Sequence, residues 1–315
     1  MAITLVEASK VSTDPLRSGI IEKFARSSPV LLAADFQDVG GLAYRYTEEG
    51  ALPGVGFRGI NQAFTEETGI LNPQVESLAI FGGDADTDVA LVKTQPTNNI
   101  GDLRATYDGM KVKSMAGFLT LKFFKGDNTS DPTEFDGMER RLTGSQLIDA
   151  GATSGGDVLT LAKLDELLDA VDKVGDGTET GRTWLYMNRT MRRKVNTLIR
   201  AAGQARETVS GDFGIQFDAY AGIPIGVIEE DNAGNPIFPF TEANPGGGVA
   251  ASTSIYAVTW SADEYTSLLE AGSISVRDLG EISEKPVYRT RIEWYLSPAI
   301  FNKRGAARLQ GIKDA

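Results

Sequence analysis

Toward the C-terminus the chain alternates cleanly. Tyr288, Thr290, Ile292, Trp294 and Leu296 take one parity, and Arg289, Arg291, Glu293 and Tyr295 the other. A side-chain period of two predicts a long strand with one buried face. The period changes upstream. Leu161, Leu164, Leu168 and Val171 recur at helical spacing, with Asp165, Glu166, Asp169 and Asp172 outside the stripe. Asn188 can cap a helix that buries Met191, Val195, Leu198 and Ala202, with Arg192, Arg193 and Lys194 flanking that stripe or pointing away from it. Residues 183–187, 223–229 and 255–260 read as strands, and 232–236 as a turn between strands. Residues 201–214 and 246–248 read as loops. Helices and strands therefore interleave from about residue 155 to 280, the pattern of an α/β segment.

Residues 98–125 read as one long helix. Leu103, Tyr107, Met110, Phe118 and Leu121 fall near one face together with Ser114, while Lys111, Lys113, Lys122 and Lys125 lie mostly elsewhere. Gly126-Asp127-Asn128 ends it. Gly101, Gly109 and Gly117 each cost about 1 kcal/mol against Ala inside a helix; close packing or a bend would account for them, and both readings stay open. Residues 36–75 have a different texture. Residues 42–46 alternate as a strand, six glycines and Pro53 lie between Gly40 and Gly59, and a second β-like stretch occupies 75–85. This predicts a long, glycine-loosened hairpin with few apolar anchors, and such long excursions tend to carry function. Residues 1–35 show no sustained pattern beyond a helix start at Asp14-Pro15 with Ile20, Ile21 and Phe24 as its stripe.

Composition narrows the chemistry. The 315 residues include no Cys and no His. Thiolate nucleophiles, disulfides and zinc–thiolate sites are excluded, and so is the commonest general base near neutral pH. An enzyme would have to work through Asp, Glu, Lys, Tyr, Ser or Thr. No run nears the roughly 18 apolar residues of a membrane span, and Met1 to Lys10 lacks the basic start and apolar core of a secretory signal. The expectation is a soluble protein without cofactor or metal. Net charge is −12, yet 182–206 carries seven bases and no acid, and 285–315 seven bases against two acids. Segregated charge suits complementary faces meeting between subunits; solvated helix faces with local ion pairs are the plainer reading.

The motifs that could carry catalysis or binding are weak. Gly54-x-Gly56-x-x-Gly59 matches a dinucleotide fingerprint by letters, but Pro53 precedes it and no helix start follows. Asp84, Asp86 and Asp88 open like a calcium loop, but Val89 stands where glycine is required and Gln95 where a bidentate Glu is required, so a solvated strand edge is expected. Glu48-Glu49, Glu66-Glu67 and Glu229-Glu230-Asp231 have no recognisable nucleophile beside them. The basic helix 189–200 lacks interleaved aromatics for nucleic acid.

The order of segments resembles the major capsid proteins of tailed bacteriophages, the Hong Kong 97-like fold family. The wording carries it too: Ala43-Tyr44-Arg45-Tyr46, Leu52-Pro53-Gly54-Val55-Gly56-Phe57-Arg58-Gly59, Ala79-Ile80-Phe81-Gly82-Gly83, Phe135-Asp136-Gly137-Met138, and Asn302-Lys303-Arg304-Gly305-Ala306-Ala307-Arg308-Leu309 within 298–312. The resemblance spans nearly the whole chain, through order and phrasing and not through a short signature. It implies an α+β fold with an N-terminal arm at 1–35, an extended β-hairpin loop at 36–75, a peripheral domain at 76–150 and 281–315 with its spine helix at 98–125, and an axial α/β domain at 151–280. It also implies a non-enzymatic role: hexamers and pentamers building an icosahedral head in the host bacterial cytoplasm, around double-stranded DNA held without sequence-specific contacts. The partners implied are a portal at one vertex, a possible decoration protein and, because the arm starts at Met1, either a separate scaffolding protein or a scaffolding segment removed from upstream of the arm. No membrane is involved.

Some relatives weld the shell through a lysine of the extended loop. There is no Lys between Phe36 and Val92, so no crosslink from that loop is expected. Arg45, Glu48, Glu49 and Arg58 are the leading candidates for contacts between subunits, and Arg192, Arg193 and Lys194 the next. The rival readings are an encapsulin-like compartment around a protein cargo and an acidic cytosolic α/β enzyme acting through carboxylates.

Overall fold

The computed structural model describes residues 28–64, 66–94, 103–171, 182–210 and 215–314, with backbone alone at 48–51. The helix start at Asp14-Pro15, most of the expected arm and residues 98–102 lie outside the described residues. The described chain opens with a short helix, α1 (Pro29–Ala33), and strand β1 (Phe36–Asp38). Strands β2 (Ala43–Ala51) and β3 (Ile70–Ser77) form a hairpin that leads into β4 (Ala79–Asp88). Helix α2 (Val89–Lys93) precedes the long α3 (Leu103–Lys125). Next come α4 (Met138–Arg141), β5 (Leu147–Asp149), α5 (Leu161–Asp169), β6 (Arg182–Met187) and α6 (Arg189–Ala201). The rest is strand: β7 (Glu207–Ser210), β8 (Gln216–Tyr220), β9 (Ile223–Val227), β10 (Ser252–Trp260), β11 (Thr266–Glu270), β12 (Ser275–Glu281), β13 (Val287–Ile300) and β14 (Ala306–Lys313).

One main sheet runs β12-β13-β11-β10-β6-β9-β8-β7, with β4 on β13, β1 on β11, β14 on β10 and β5 on β14. Alternation along its strands feeds two cores, because successive side chains leave opposite faces. Trp184, Tyr186, Tyr256, Val258 and Trp260 face α3, whereas Leu185, Met187, Ile255 and Ala257 face α5 and α6. The strand β10 is buried along its whole length because both of its faces are covered. At the centre of the first core, Phe124 meets Phe238 at 4.8 Å, Tyr256 at 5.0 Å and Tyr186 at 5.6 Å. The buried Trp260 Nε1 donates to the Tyr186 hydroxyl at 3.0 Å, which satisfies the one polar group of that indole.

The predicted apolar stripe of α3 is not its buried face. Asp108, Val112, Met115, Ala116, Leu119, Thr120, Phe123 and Phe124 are buried, while Tyr107, Met110 and Phe118 are exposed. Apolar residues occur on two sides of this helix, and the sheet selects the side with small residues that lets it approach. Gly117 serves close packing: a Cβ there would stand 2.8 Å from Asn232 Oδ1, and Asn232 Nδ2 donates to the Ser114 carbonyl at 2.7 Å. The helix ends at Gly126 as expected. Gly137 N donates to the Gly126 carbonyl at 2.9 Å, and a Cβ on Gly137 would sit 2.6 Å from Gly126 N, so this tight return needs glycine.

Other expectations shift at their edges. Asn188 caps α6, its Oδ1 accepting from Met191 N at 2.8 Å, but the buried stripe is Met191, Val195 and Ile199; Leu198 is only partly buried and Ala202 is exposed. Within the expected loop at 201–214, residues 207–210 form β7 paired with β8, and 211–214 lie outside the described residues. Residues 30–34 are buried in the first core, and Phe36 stacks on Trp294 at 5.2 Å. The described end of the expected arm is thus packed core, and the start of the expected loop, β1, belongs to the main sheet. The hairpin proper spans 43–77. The main sheet also passes unbroken between residues expected in the peripheral and axial parts, since β14 pairs with β10.

A charged cluster ties α3 to that sheet. Arg308, almost wholly buried, donates to Ser254 Oγ at 2.9 Å and to Glu139 Oε1 and Glu242 Oε2, each at 3.0 Å. Lys125, in the last turn of α3, reaches Glu242 Oε1 at 2.7 Å and Glu139 Oε2 at 3.1 Å. Every charge here has an opposite neighbour, as buried charge requires.

Candidate assembly surfaces

The hairpin is anchored at its root and bare beyond it. Alternation puts Tyr44 and Tyr46 on one face, where both pack edge-on against Phe301, at 6.2 and 4.9 Å. The Tyr46 hydroxyl donates to the Ile300 carbonyl at 3.2 Å. Arg141 of α4 clasps Glu76 of β3 through both carboxylate oxygens. Beyond this root, every described side chain from Leu52 to Val75 is exposed. Many are large and apolar: Val55, Phe57 and Ile60 are at least 94% exposed, with Leu52, Phe64, Ile70 and Leu71 beside them in the chain. A two-stranded ribbon is marginal alone, and water-exposed apolar surface of this kind marks an interaction site.

The charged candidates fall into distinct settings. Arg45 is exposed, opposite Val75 in the hairpin register. Glu48 and Glu49 pair in register with Asn72 and Leu71, next to a bulge; their side chains lie outside the described residues. Arg58 shapes the tip, donating to the Gln62 carbonyl at 3.2 Å and lying 5.1 Å over the Phe64 ring. Arg193 is exposed on α6. Arg192 is half-buried, 3.8 Å from Asp218. Lys194 turns inward to Asp314 and the Lys313 carbonyl, so it is a tether within the subunit more than a surface group. The structure therefore groups Arg192 and Arg193 with Arg189, Arg200 and Arg206 around Asp218, and leaves Lys194 out. Sequence reasoning favoured charges in the hairpin and passed over Val55, Phe57 and Ile60. The signal was there: large apolar residues spaced by glycine, with no period that would bury them.

Elsewhere the motif-like residues have structural work. Among the described residues Asp84 and Asp86 do lie on a strand that pairs only with β13, but each is clasped by an arginine. Arg291 Nε reaches Asp84 at 2.7 Å, Arg289 Nε reaches Asp86 at 2.6 Å, and Lys285 adds a contact to Asp86 at 2.5 Å. The Arg291 hydrogen bond holds the Asp84 carboxyl below its ordinary value, and those from Arg289 and Lys285 do the same for Asp86. The glycines of 54–59 lie in the exposed tip, where Gly54 N donates to Glu67 at 2.8 Å. Glu229 pairs with Arg189, and Asp231 caps its own turn through Ala233 N and Asn235 N. Among the described residues no three acidic side chains gather to hold a metal ion, and no helix is long and apolar enough to cross a membrane.

No family model matches this sequence, and no curated protein matches it. Solved structures do. An encapsulin chain from the holo-SrpI encapsulin complex of Synechococcus elongatus PCC 7942 superposes with a TM-score of 0.63 at 16% identity, covering 99% of this chain and 97% of that one. A chain from the capsid of the native GTA particle gives 0.63 at 12%, covering 91% and 90%. One from Microbacterium phage Oxtober96 gives 0.61 at 13%, covering 91% of each. At such identities the likeness is one of fold, and it extends over nearly the whole chain.

Proposed function

From the Hong Kong 97-like fold of this α+β chain we propose that it is a shell-forming major capsid protein of a tailed bacteriophage. Copies build hexamers and pentamers of an icosahedral head around double-stranded DNA. The observation that carries this reading is the hairpin tip. Burying apolar surface is worth about 25 cal/mol per Å², and among the described residues of its own subunit nothing covers Val55, Phe57 or Ile60. A neighbouring copy supplies one. Many such contacts, repeated by symmetry, add up to a closed particle even where each is weak.

In this reading the part of the expected arm that precedes the buried 30–34 segment reaches across neighbours, and the hairpin at 43–77 lies over an adjacent subunit. Residues 76–150 and 281–315 form the periphery, and 151–280 surround the capsomer axis. A separate scaffolding protein guides assembly, a portal occupies one vertex, and a decoration protein is an optional addition. The role is structural and not enzymatic.

A second reading is an encapsulin-like compartment, favoured by the superposition on an encapsulin over 99% of this chain. Electron microscopy of the purified protein tests both against a soluble enzyme: closed shells are expected, and persistent monomers or dimers at high concentration overturn the proposal. The contents then separate the two. Nuclease-protected DNA supports the phage head, and a packaged protein supports the compartment.

A further inference from the structure

We infer that the arginine face of α6 docks on the acidic face of α5 in a second copy of this chain, joining neighbours head to tail; the inference rests on the shell reading and names one of its contacts. Helix α6 buries Met191, Val195 and Ile199 and turns Arg189, Arg192, Arg193 and Arg200 outward. Like charges three or four residues apart on a helix repel one another, yet there is no Asp or Glu between 189 and 201 to relieve them. Arg206, brought up just before β7, adds to the cluster.

Among the described residues two carboxylates answer these arginines inside the subunit. Asp218 pairs with Arg206, lies 3.8 Å from Arg192 and accepts from Asn196 Nδ2 at 3.1 Å, while Glu229 pairs with Arg189. Burial alone would raise the Asp218 pKa; the hydrogen bonds from Arg206 and Asn196 outweigh it, and the group is held below its ordinary value. Asp218 is thus a fixed anion at the floor of the cluster. Arg193 and Arg200 are left over. Among the described residues no carboxylate lies within 4.0 Å of either, and Arg200 Nε donates only to the Asn196 carbonyl.

The complementary face is on the neighbouring helix. α5 buries Leu164, Leu167 and Leu168 in the same core and exposes Asp165, Glu166 and Asp169. Lys163 answers Glu166 at 2.7 Å and the Tyr220 hydroxyl donates to Asp165 at 2.7 Å; the Asp169 carboxylate meets no cation among the described residues. No ion pair joins the two faces within a subunit among those residues. Opposite faces at a fixed spacing on one rigid layer make a heterologous contact, which generates a ring when the rotation closes. A polyanion such as DNA is the poorer occupant. The chain carries a net −12, and among the described residues no aromatic side chain lines this arginine cluster to stack a base.

The test uses the full chain and paired charge reversals. Arg193→Glu with Arg200→Glu is expected to lower the assembled fraction by about tenfold or more, and Glu166→Lys with Asp169→Lys to do the same. Particles are counted by negative-stain microscopy and mass photometry, and circular dichroism checks that each subunit keeps its fold. Combining all four changes is expected to restore assembly. Unchanged assembly in either double variant, or no recovery in the combined one, overturns the pairing. Normal particles from Arg193→Glu/Arg200→Glu that have lost salt-sensitive binding of a labelled duplex DNA assign the face to polyanion instead, and also overturn it. A wild-type chain that forms no closed particle overturns the shell reading first, and this contact with it.

Discussion

Arg141 grips Glu76 at both ends of its guanidinium fork, 2.5 Å to Oε1 and 2.8 Å to Oε2. The pair is largely shielded from water and joins α4 to the root of the hairpin. A planar bidentate pair fixes orientation as well as distance.

Arg141→Met should therefore cost about 1–3 kcal/mol in urea unfolding, because Glu76 is left partly buried without its partner. Arg141→Met with Glu76→Leu should cost less than Arg141→Met alone. Hydrogen exchange should quicken at amides of 43–47 and 73–77 more than in β10. Equal protection in wild type and variant would show that the aromatic contacts alone set the root.

Val55→Ser with Phe57→Ser removes the most exposed apolar groups of the tip. Stability of the isolated subunit should stay within about 0.5 kcal/mol, as for other exposed changes, while shell yield collapses. Glu48→Lys with Glu49→Lys should also impair assembly and spare the fold. Full shell yield from either pair would remove the tip, or those charges, from the contact.

Asp84 and Asp86 give a pH dependence with a definite sign. Their arginine partners depress both carboxyls below the ordinary value. A depressed carboxyl contributes stability that is present above its unfolded pKa and is lost as pH falls through the folded one. Asp84→Asn with Asp86→Asn should therefore lower the Tm at pH 7, and the gap to wild type should close as pH drops below about 4. A gap independent of pH between 7 and 3 would show that the loss is one of packing.

Arg308→Met strands Glu242 beside a single remaining cation, Lys125. Breaking such a buried set from one side costs about 3–5 kcal/mol, and thermal unfolding of the subunit should register it. A loss under about 1 kcal/mol would mean that water reaches Glu242.

Mature particles should run at the size of the 33.8 kDa monomer on a denaturing gel. The hairpin and the chain that follows it to Val92 contain no lysine to form an isopeptide bond. A high-mass ladder that traces to the hairpin would contradict this.

What could be read in advance follows from how local each signal is. The alternation of β13, the cap at Asn188, the stop at Gly126 and the bare hairpin are set by neighbours in sequence, and all four are present. The buried side of α3 was misread because the helix has apolar residues on two sides. Phe118 spends its ring on Phe81, at 6.1 Å, outside the main core, while Asp108 and Thr120 are buried through partners far along the chain, Thr290 and Ser28. The arginine clasps on Asp84 and Asp86 join residues more than 200 positions apart, so no local pattern announces them. The arginine cluster was legible as a basic run; its division into a tethered Lys194 and an Arg193 with no carboxylate partner among the described residues needed the fold.

The hairpin root also has a mechanical meaning. Strands of nine and eight residues reach about 30 Å at roughly 3.3 Å per residue, so a push at the tip acts with a long lever arm. The Arg141–Glu76 pair and the rings packed on Phe301 help to resist the torque, and Arg141 passes its share through α4 and the glycine return to the end of α3. Load on one subunit's hairpin is thereby delivered to the longest helix among its described residues, not dissipated in a loop.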